Sequence, residues 1–252
     1  MPVPAKPNEA LALKTLPVSL RLAIQEIFGH GLVGCALVGG TALAGFYAGH
    51  RESDDIDLFT ADATAQAMTV AAVKSLARIG VVFFDERNSP SFYHVLAELN
   101  GHNFTIDVVL DANIHHKGTF VQTSKGIQLA SLETLLMMKI ATLVSRCSEK
   151  DLFDLRWLTE HYRDPDTGEW IALGQKVDGG VNAESILISL SGAKLRVEAC
   201  GFSAKFGTTS RNVLKQMIEF RSFLQKKFAM YLETSPPSTA ISSLLREIRK
   251  LK

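Results

Sequence analysis

The chain has 252 residues, of which 46% are hydrophobic and 21% charged, enough apolar material to bury a core in one large domain or two small ones. Ordinary apolar content with 18 glycines and 8 prolines excludes a disordered or collagen-like chain. The formal net charge of +1 selects no partner class, but ten acids face four bases between Gly49 and His115, whereas ten bases face three acids from Gly201 to Lys252. An acidic stretch and a basic tail suit a metal site beside an anion-binding surface, although solvated helix faces explain the tail equally well. Three widely spaced cysteines argue against a disulfide framework and fit a reducing, cytoplasmic setting.

The first 20 residues lack the apolar stretch of a signal peptide, and residues 1–17 read as a loose, proline-containing lead-in. Ser19 to Phe28 has helical periodicity, and Cys35 to Val38 reads as a buried strand. Gly31 to Gly49 is 19 uncharged residues, long enough to span a bilayer, but it holds six glycines and the turn signal Gly39-Gly40-Thr41. Strand, turn and a small-residue helix capped by Thr41 explain it better, so no membrane partner is expected. A polar loop at His50–Asp54 leads into a strand at Asp55–Phe59. A helix from Asp62 to Ile79 and a strand at Val81–Phe84 follow. Phe92–Leu99 and Asn103–Leu110 pattern as a hairpin about Asn100-Gly101-His102. From Ser131 the pattern is mainly helical, at about 131–146, 148–161, 183–191, 210–231 and 238–250, with turn signals suggesting a loop or small hairpin at 163–181. The order predicts an α/β (α+β) fold: a sheet-bearing domain over 1–128, then a mainly helical one over 129–252.

The chemistry concentrates in two strands. Asp55 and Asp57, two apart, share one strand face while Ile56 and Leu58 point to the core. Such close carboxylates repel unless a cation sits between them, and hard oxygen ligands suit Mg²⁺ or Mn²⁺. Alone, the pair is a weak signal, because two solvated acids at a strand start are common. Asp107 adds to it, as an acid in mid-strand within the strict alternation Phe104, Ile106, Val108, Leu110. If the two strands are neighbours, Asp107 completes a set of three carboxylates able to serve phosphoryl-type transfer. Gly39-Gly40-Thr41 offers either a close backbone approach for phosphate or simply a tight turn. Lys139 sits among Leu135, Leu136, Ile140 and Leu143, so its ammonium either snorkels or points into a site. Ser148 and Asp151 have the spacing of a helix-capping box.

Gly-Gly-Thr-Ala-Leu at 39–43 followed by His-Arg-Glu-Ser-Asp-Asp-Ile-Asp-Leu-Phe at 50–59 resembles the nucleotidyltransferases of the DNA polymerase β superfamily. More narrowly, with Lys139, Arg146 and Lys150-Asp151-Leu152-Phe153-Asp154-Leu155, it resembles the AbiEii/AbiGii toxin family over roughly residues 32–160. The resemblance implies a nucleotidyltransferase-like mixed sheet flanked by helices and an enzyme that moves an NMP from an NTP to an acceptor hydroxyl. It implies Asp55, Asp57 and Asp107 as catalytic, metal-binding residues for Mg²⁺ or Mn²⁺. Gly39, Gly40, Thr41, Lys139 and Asp151 become candidates for nucleotide and phosphate binding, and Arg51 and Ser53, which flank the acids, either touch phosphate or simply pin the loop. It further implies the toxin of a toxin–antitoxin pair, with an antitoxin protein as partner and RNA, at the acceptor end of tRNA, as acceptor. Two other readings remain: an aspartyl-phosphate phosphatase, disfavoured because the residues before Asp55 are polar, and a catalytically inactive module of the same fold that binds a nucleotide or a partner protein.

Overall fold

The computed structural model describes residues 6–234; the helix expected at 238–250 lies outside them. The amino-terminal segment is not a loose lead-in throughout: Asn8 caps α1 (Glu9–Thr15), whose Ala12 and the following Leu16 are buried. The helix α2 (Val18–Gly29) buries Leu20, Ala23, Ile24 and Ile27 on one stripe, as its periodicity predicts. After β1 (Cys35–Leu37) the helix α3 (Gly39–Leu43) begins directly at Gly39, with Val38 in the cap position. Thr41 is therefore inside the helix and not its cap, a correction to the sequence reading. The helix runs into a π-helical turn at Ala44–Ala48, closed by Gly49.

The acids at 55 and 57 open β2 (Asp55–Thr60), and Asp62 caps α4 (Ala63–Ser75), which ends in a 3₁₀ turn at Leu76–Ile79. A meander follows, β3 (Val82–Ser89), β4 (Phe92–Leu99) and β5 (His102–Leu110), with β3 reaching five residues beyond the expected Phe84. Three short elements lacked a periodic signal: α5 (Ala112–Lys117), β6 (Phe120–Gln122) and β7 (Gln128–Ala130). Then come α6 (Leu132–Ser145), α7 (Glu149–His161), α8 (Thr167–Gln175), α9 (Ala183–Gly192), a 3₁₀ stretch at Val197–Phe206, and α10 (Ser210–Thr234). The expected loop at 163–181 is thus a helix, because Asp166 caps it through the Glu169 amide and Trp170 is fully buried.

Seven strands form one mixed sheet in the order β3-β4-β5-β2-β1-β7-β6. The strand β2 runs parallel to β5 and antiparallel to β1, and β1 runs parallel to β7. Ile56, Leu58, Phe104, Ile106 and Val108 face the core on the side packed by α2 and α4. Their alternates, Asp55, Asp57, Thr105 and Asp107, face the other side. The buried core is continuous from α1 through α10, and β7 spans the junction between residues 128 and 129. No helix among the described residues is long and apolar enough to cross a membrane.

Candidate active site

The pairing of β2 with β5 brings the three acids together. Asp57 lies directly opposite Asp107, and Asp55 opposite Thr105. Thr105 Oγ1 donates to Asp55 Oδ1 at 2.9 Å, and His94 Nδ1 lies 2.6 Å from Asp107 Oδ1. Asp57 has no hydrogen-bond donor among the described residues. Burial first, then the charges of Asp55 and Asp107, push its carboxyl up to about 6.

The two glycines are explained by what surrounds them. Gly39 has φ +68°, and a Cβ there would stand 2.0 Å from Asp57 Oδ2. A Cβ on Gly40 would stand 2.2 Å from Arg51 Nη2. Thr41 Oγ1 bonds to Ser53 Oγ at 2.8 Å and to the Asp55 carbonyl, which ties α3 to the start of β2. Thr41 and Ser53 are both buried. These bonds hold the start of the acid-bearing strand against α3.

Arg51 and Lys139 are also buried, and each is committed to protein carboxylates. Arg51 grips Asp154 with Nε at 2.6 Å and Nη2 at 2.8 Å; His50 Nε2 reaches the same carboxylate at 3.0 Å. Lys139 Nζ sits 2.7 Å from Asp154 and 2.9 Å from Asp151. Arg146 Nε adds a third cation on Asp151 at 2.8 Å. Burial disfavours ionised Asp154, but the charges of Arg51 and Lys139 outweigh it and hold the carboxyl well below the usual range. The same competition leaves Asp151 at about 2, with Lys139, Arg146 and a Ser148 hydrogen bond overcoming burial. Asp154 matters as much as Asp151, yet sequence reasoning left it out of the site. The missed signal was its place in the same Lys-Asp-x-x-Asp run, one turn after Asp151.

Three cations against two carboxylates leave this cluster with one surplus positive charge, and Arg146 is its exposed cation. Lys150 Nζ, half exposed, approaches Asp55 Oδ2 at 3.7 Å. A cavity of about 350 Å³ lies over the carboxylates, with Gly40, Ser53, Arg146 and Lys150 among its walls. A second of about 320 Å³ lies on the other side of Asp57, walled by Val38, Phe59, Met138 and Ala141. Both share Asp57, Lys139 and Arg146.

Against this geometry, the family described as nucleotidyl transferase AbiEii toxin, of a type IV toxin–antitoxin system, matches residues 31–185. The chain belongs to the AbiEii nucleotidyltransferase toxin family. It is a nucleotidyltransferase by that membership, and the aspartyl-phosphate reading falls. Its fold is similar to that of MenT4, a nucleotidyltransferase toxin from Mycobacterium tuberculosis H37Rv, with 15% identity and a TM-score of 0.53 over 90% of this chain and 84% of that one. JHP933 from Helicobacter pylori aligns at 16% identity and a TM-score of 0.48, over 94% and 99% of the two chains. No curated protein matches significantly.

The carboxylates fit a divalent ion by donor type and by the unsatisfied charge at Asp57. Among the described residues no three His, Cys, Asp or Glu side chains are gathered closely enough to hold one as they stand. Of the other histidines, His115 reaches the Phe59 carbonyl at 2.9 Å and His116 is exposed.

Proposed function

We propose that this AbiEii-family member moves a nucleoside monophosphate from an NTP to an acceptor hydroxyl, with Mg²⁺ or Mn²⁺ at Asp55, Asp57 and Asp107. The observation that carries the reading is the β2–β5 register, which sets Asp57 against Asp107 under a basic-rimmed cavity. A bound ion neutralises charge on the reacting phosphate. The chain itself binds and aligns. Arg146 and Lys150, the cations that reach the cavity with least internal neutralisation, receive phosphate oxygens beside Gly39, Gly40 and Ser53. Lys139 and Asp151 act mainly by holding Arg146 in place, and Arg51 by holding the loop behind Gly40.

Asp107 accepts the proton of the acceptor hydroxyl as that oxygen attacks the α-phosphorus. The bond from the α-phosphorus to its bridging oxygen breaks, and pyrophosphate leaves with the electron pair. The rate gain comes from positioning and charge stabilisation. The acceptor in this reading is RNA, at the acceptor end of tRNA, with its phosphates on the basic residues after Gly201. The reading includes a cognate antitoxin, which the toxin–antitoxin family supports, and a cytoplasmic site of action.

The test is incubation with each of four α-phosphate-labelled NTPs, Mg²⁺ and total cellular RNA, beside Asp55→Ala. Label in tRNA-sized RNA with the wild type alone supports the reading and names the base. Label in protein instead replaces the acceptor. Binding of NTP without any transfer favours a nucleotide-binding module.

A further inference from the structure

The hairpin of β4 and β5 closes through the two-residue turn Asn100-Gly101, which pairs Leu99 with His102 and fixes every pair beyond it. Five steps up the ladder, His94 stands opposite Asp107. The two side chains therefore share the open face of the sheet, and they meet: His94 Nδ1 lies 2.6 Å from Asp107 Oδ1. An ionised carboxylate only accepts, so Nδ1 carries the hydrogen. The imidazole is steadied from its own strand by Phe92, stacked at 6.2 Å with 19° between the rings. Asp107 lines the cavity over the carboxylates, but His94 is not among the residues that do. The histidine thus supports the acid from outside that cavity.

We propose that His94 is the positioning residue of this site: it ties back Oδ1 of Asp107 and so directs the other oxygen at the ion and the acceptor hydroxyl. This rests on the carboxylate reading above. Thr105 donates in the same way to Asp55, so each flanking acid accepts a hydrogen bond on one oxygen, while the Asp57 carboxyl accepts none among the described residues. A carboxylate fixed by one hydrogen bond loses the freedom to rotate away from its two like-charged neighbours. Partners of this kind behind a ligating carboxylate are typically worth about 10–100-fold in metal affinity or activity.

The test compares wild type, His94→Val, His94→Asn and Asp107→Ala as full-length proteins, with thermal melts to establish folding. Two quantities are read: Mn²⁺ affinity by electron paramagnetic resonance without substrate, and kcat and KM for NTP by pyrophosphate release. The expected result for His94→Val is Mn²⁺ binding weakened about tenfold or more and kcat lowered by a similar factor, with KM for NTP little changed. His94→Asn, whose amide nitrogen occupies the place of Nδ1, restores most of both. Normal Mn²⁺ binding and kcat in His94→Val, with both lost in Asp107→Ala, overturns the role of His94 and leaves the carboxylate site standing. A folded His94→Asn as impaired as His94→Val overturns the hydrogen-bond argument. Wild-type behaviour of Asp107→Ala overturns the carboxylate reading itself, and this inference with it.

Discussion

Removing one charge from the middle of the carboxylate set should stabilise the apo protein. Asp57 is half-buried, faces Asp107 across the strand pair, and follows Asp55 on the same face. Its carboxyl stands at about 6, against an ordinary value of 3.8, because burial and those two charges disfavour the ionised form. At roughly 1.4 kcal/mol per tenfold change in proton affinity, ionising it in the folded state costs up to about 3 kcal/mol. Solvent at the cavity mouth reduces this, so about 1–3 kcal/mol is expected. The sign follows from proton linkage: between pH 4 and 6 the folded chain holds a proton that the unfolded chain has released, so stability falls as pH rises through that window. Asp57→Asn keeps the shape and removes the cost. In chelator at pH 7.5 it should melt roughly 3–10 °C above wild type, and the gap should close by pH 4. Saturating Mn²⁺ should raise the wild type and leave the variant almost unmoved. A variant no more stable than wild type in chelator at pH 7.5, or a gain that persists at pH 4, refutes the reasoning.

The buried ion cluster makes a prediction of opposite sign. Asp154→Ala leaves buried Arg51 without its carboxylate partner and buried Lys139 with one of its two, and should cost about 3–5 kcal/mol in denaturant melts. Because Asp154 and Asp151 titrate well below an unfolded carboxylate, their contribution is complete above about pH 5 and fades as pH falls toward 2, so the wild-type advantage over Asp154→Ala should shrink in acid. Gly40→Ala meets Arg51 Nη2 and should break the Arg51–Asp154 pair, lowering the melting temperature by several degrees and abolishing transfer. Lys150→Ala removes an exposed cation, so stability should change by less than about 0.5 kcal/mol while KM for NTP rises, measured by pyrophosphate release. An unchanged KM would take Lys150 out of phosphate binding.

What the sequence discloses here follows the range of the interactions involved. Asp55, Asp57 and Asp107 are legible because period-two alternation fixes a strand's faces locally, and the Asn100-Gly101 turn fixes the β4–β5 register. The same turn already implied that His94 faces Asp107, but a search for metal-ligand spacing along the chain overlooks pairing across it. The strand β7 is three residues long, paired antiparallel with the equally short β6 and parallel with β1 some ninety residues earlier, and three residues are too few for an alternation to show in its own sequence. The helix α8 was hidden by Thr167-Gly168, which reads as a turn, although Asp166 and Glu169 have capping-box spacing. Lys139 was recognisable as a lysine on an apolar face. That its ammonium is taken up by Asp151 and Asp154 depended on how α6 and α7 pack, which no local pattern specifies.

The bond between Arg51 and Asp154 joins residues 103 apart, and it has a consequence for the order in which the protein is made. A growing chain that has completed β5 already holds all three carboxylates, yet the guanidinium behind Gly40 still lacks its counter-ion, and neither Arg146 nor Lys150 has been added. Only when α7 docks does the acidic strand pair acquire its basic rim. The basic rim is therefore the last part of this site to assemble, although the carboxylates it faces come first in the chain.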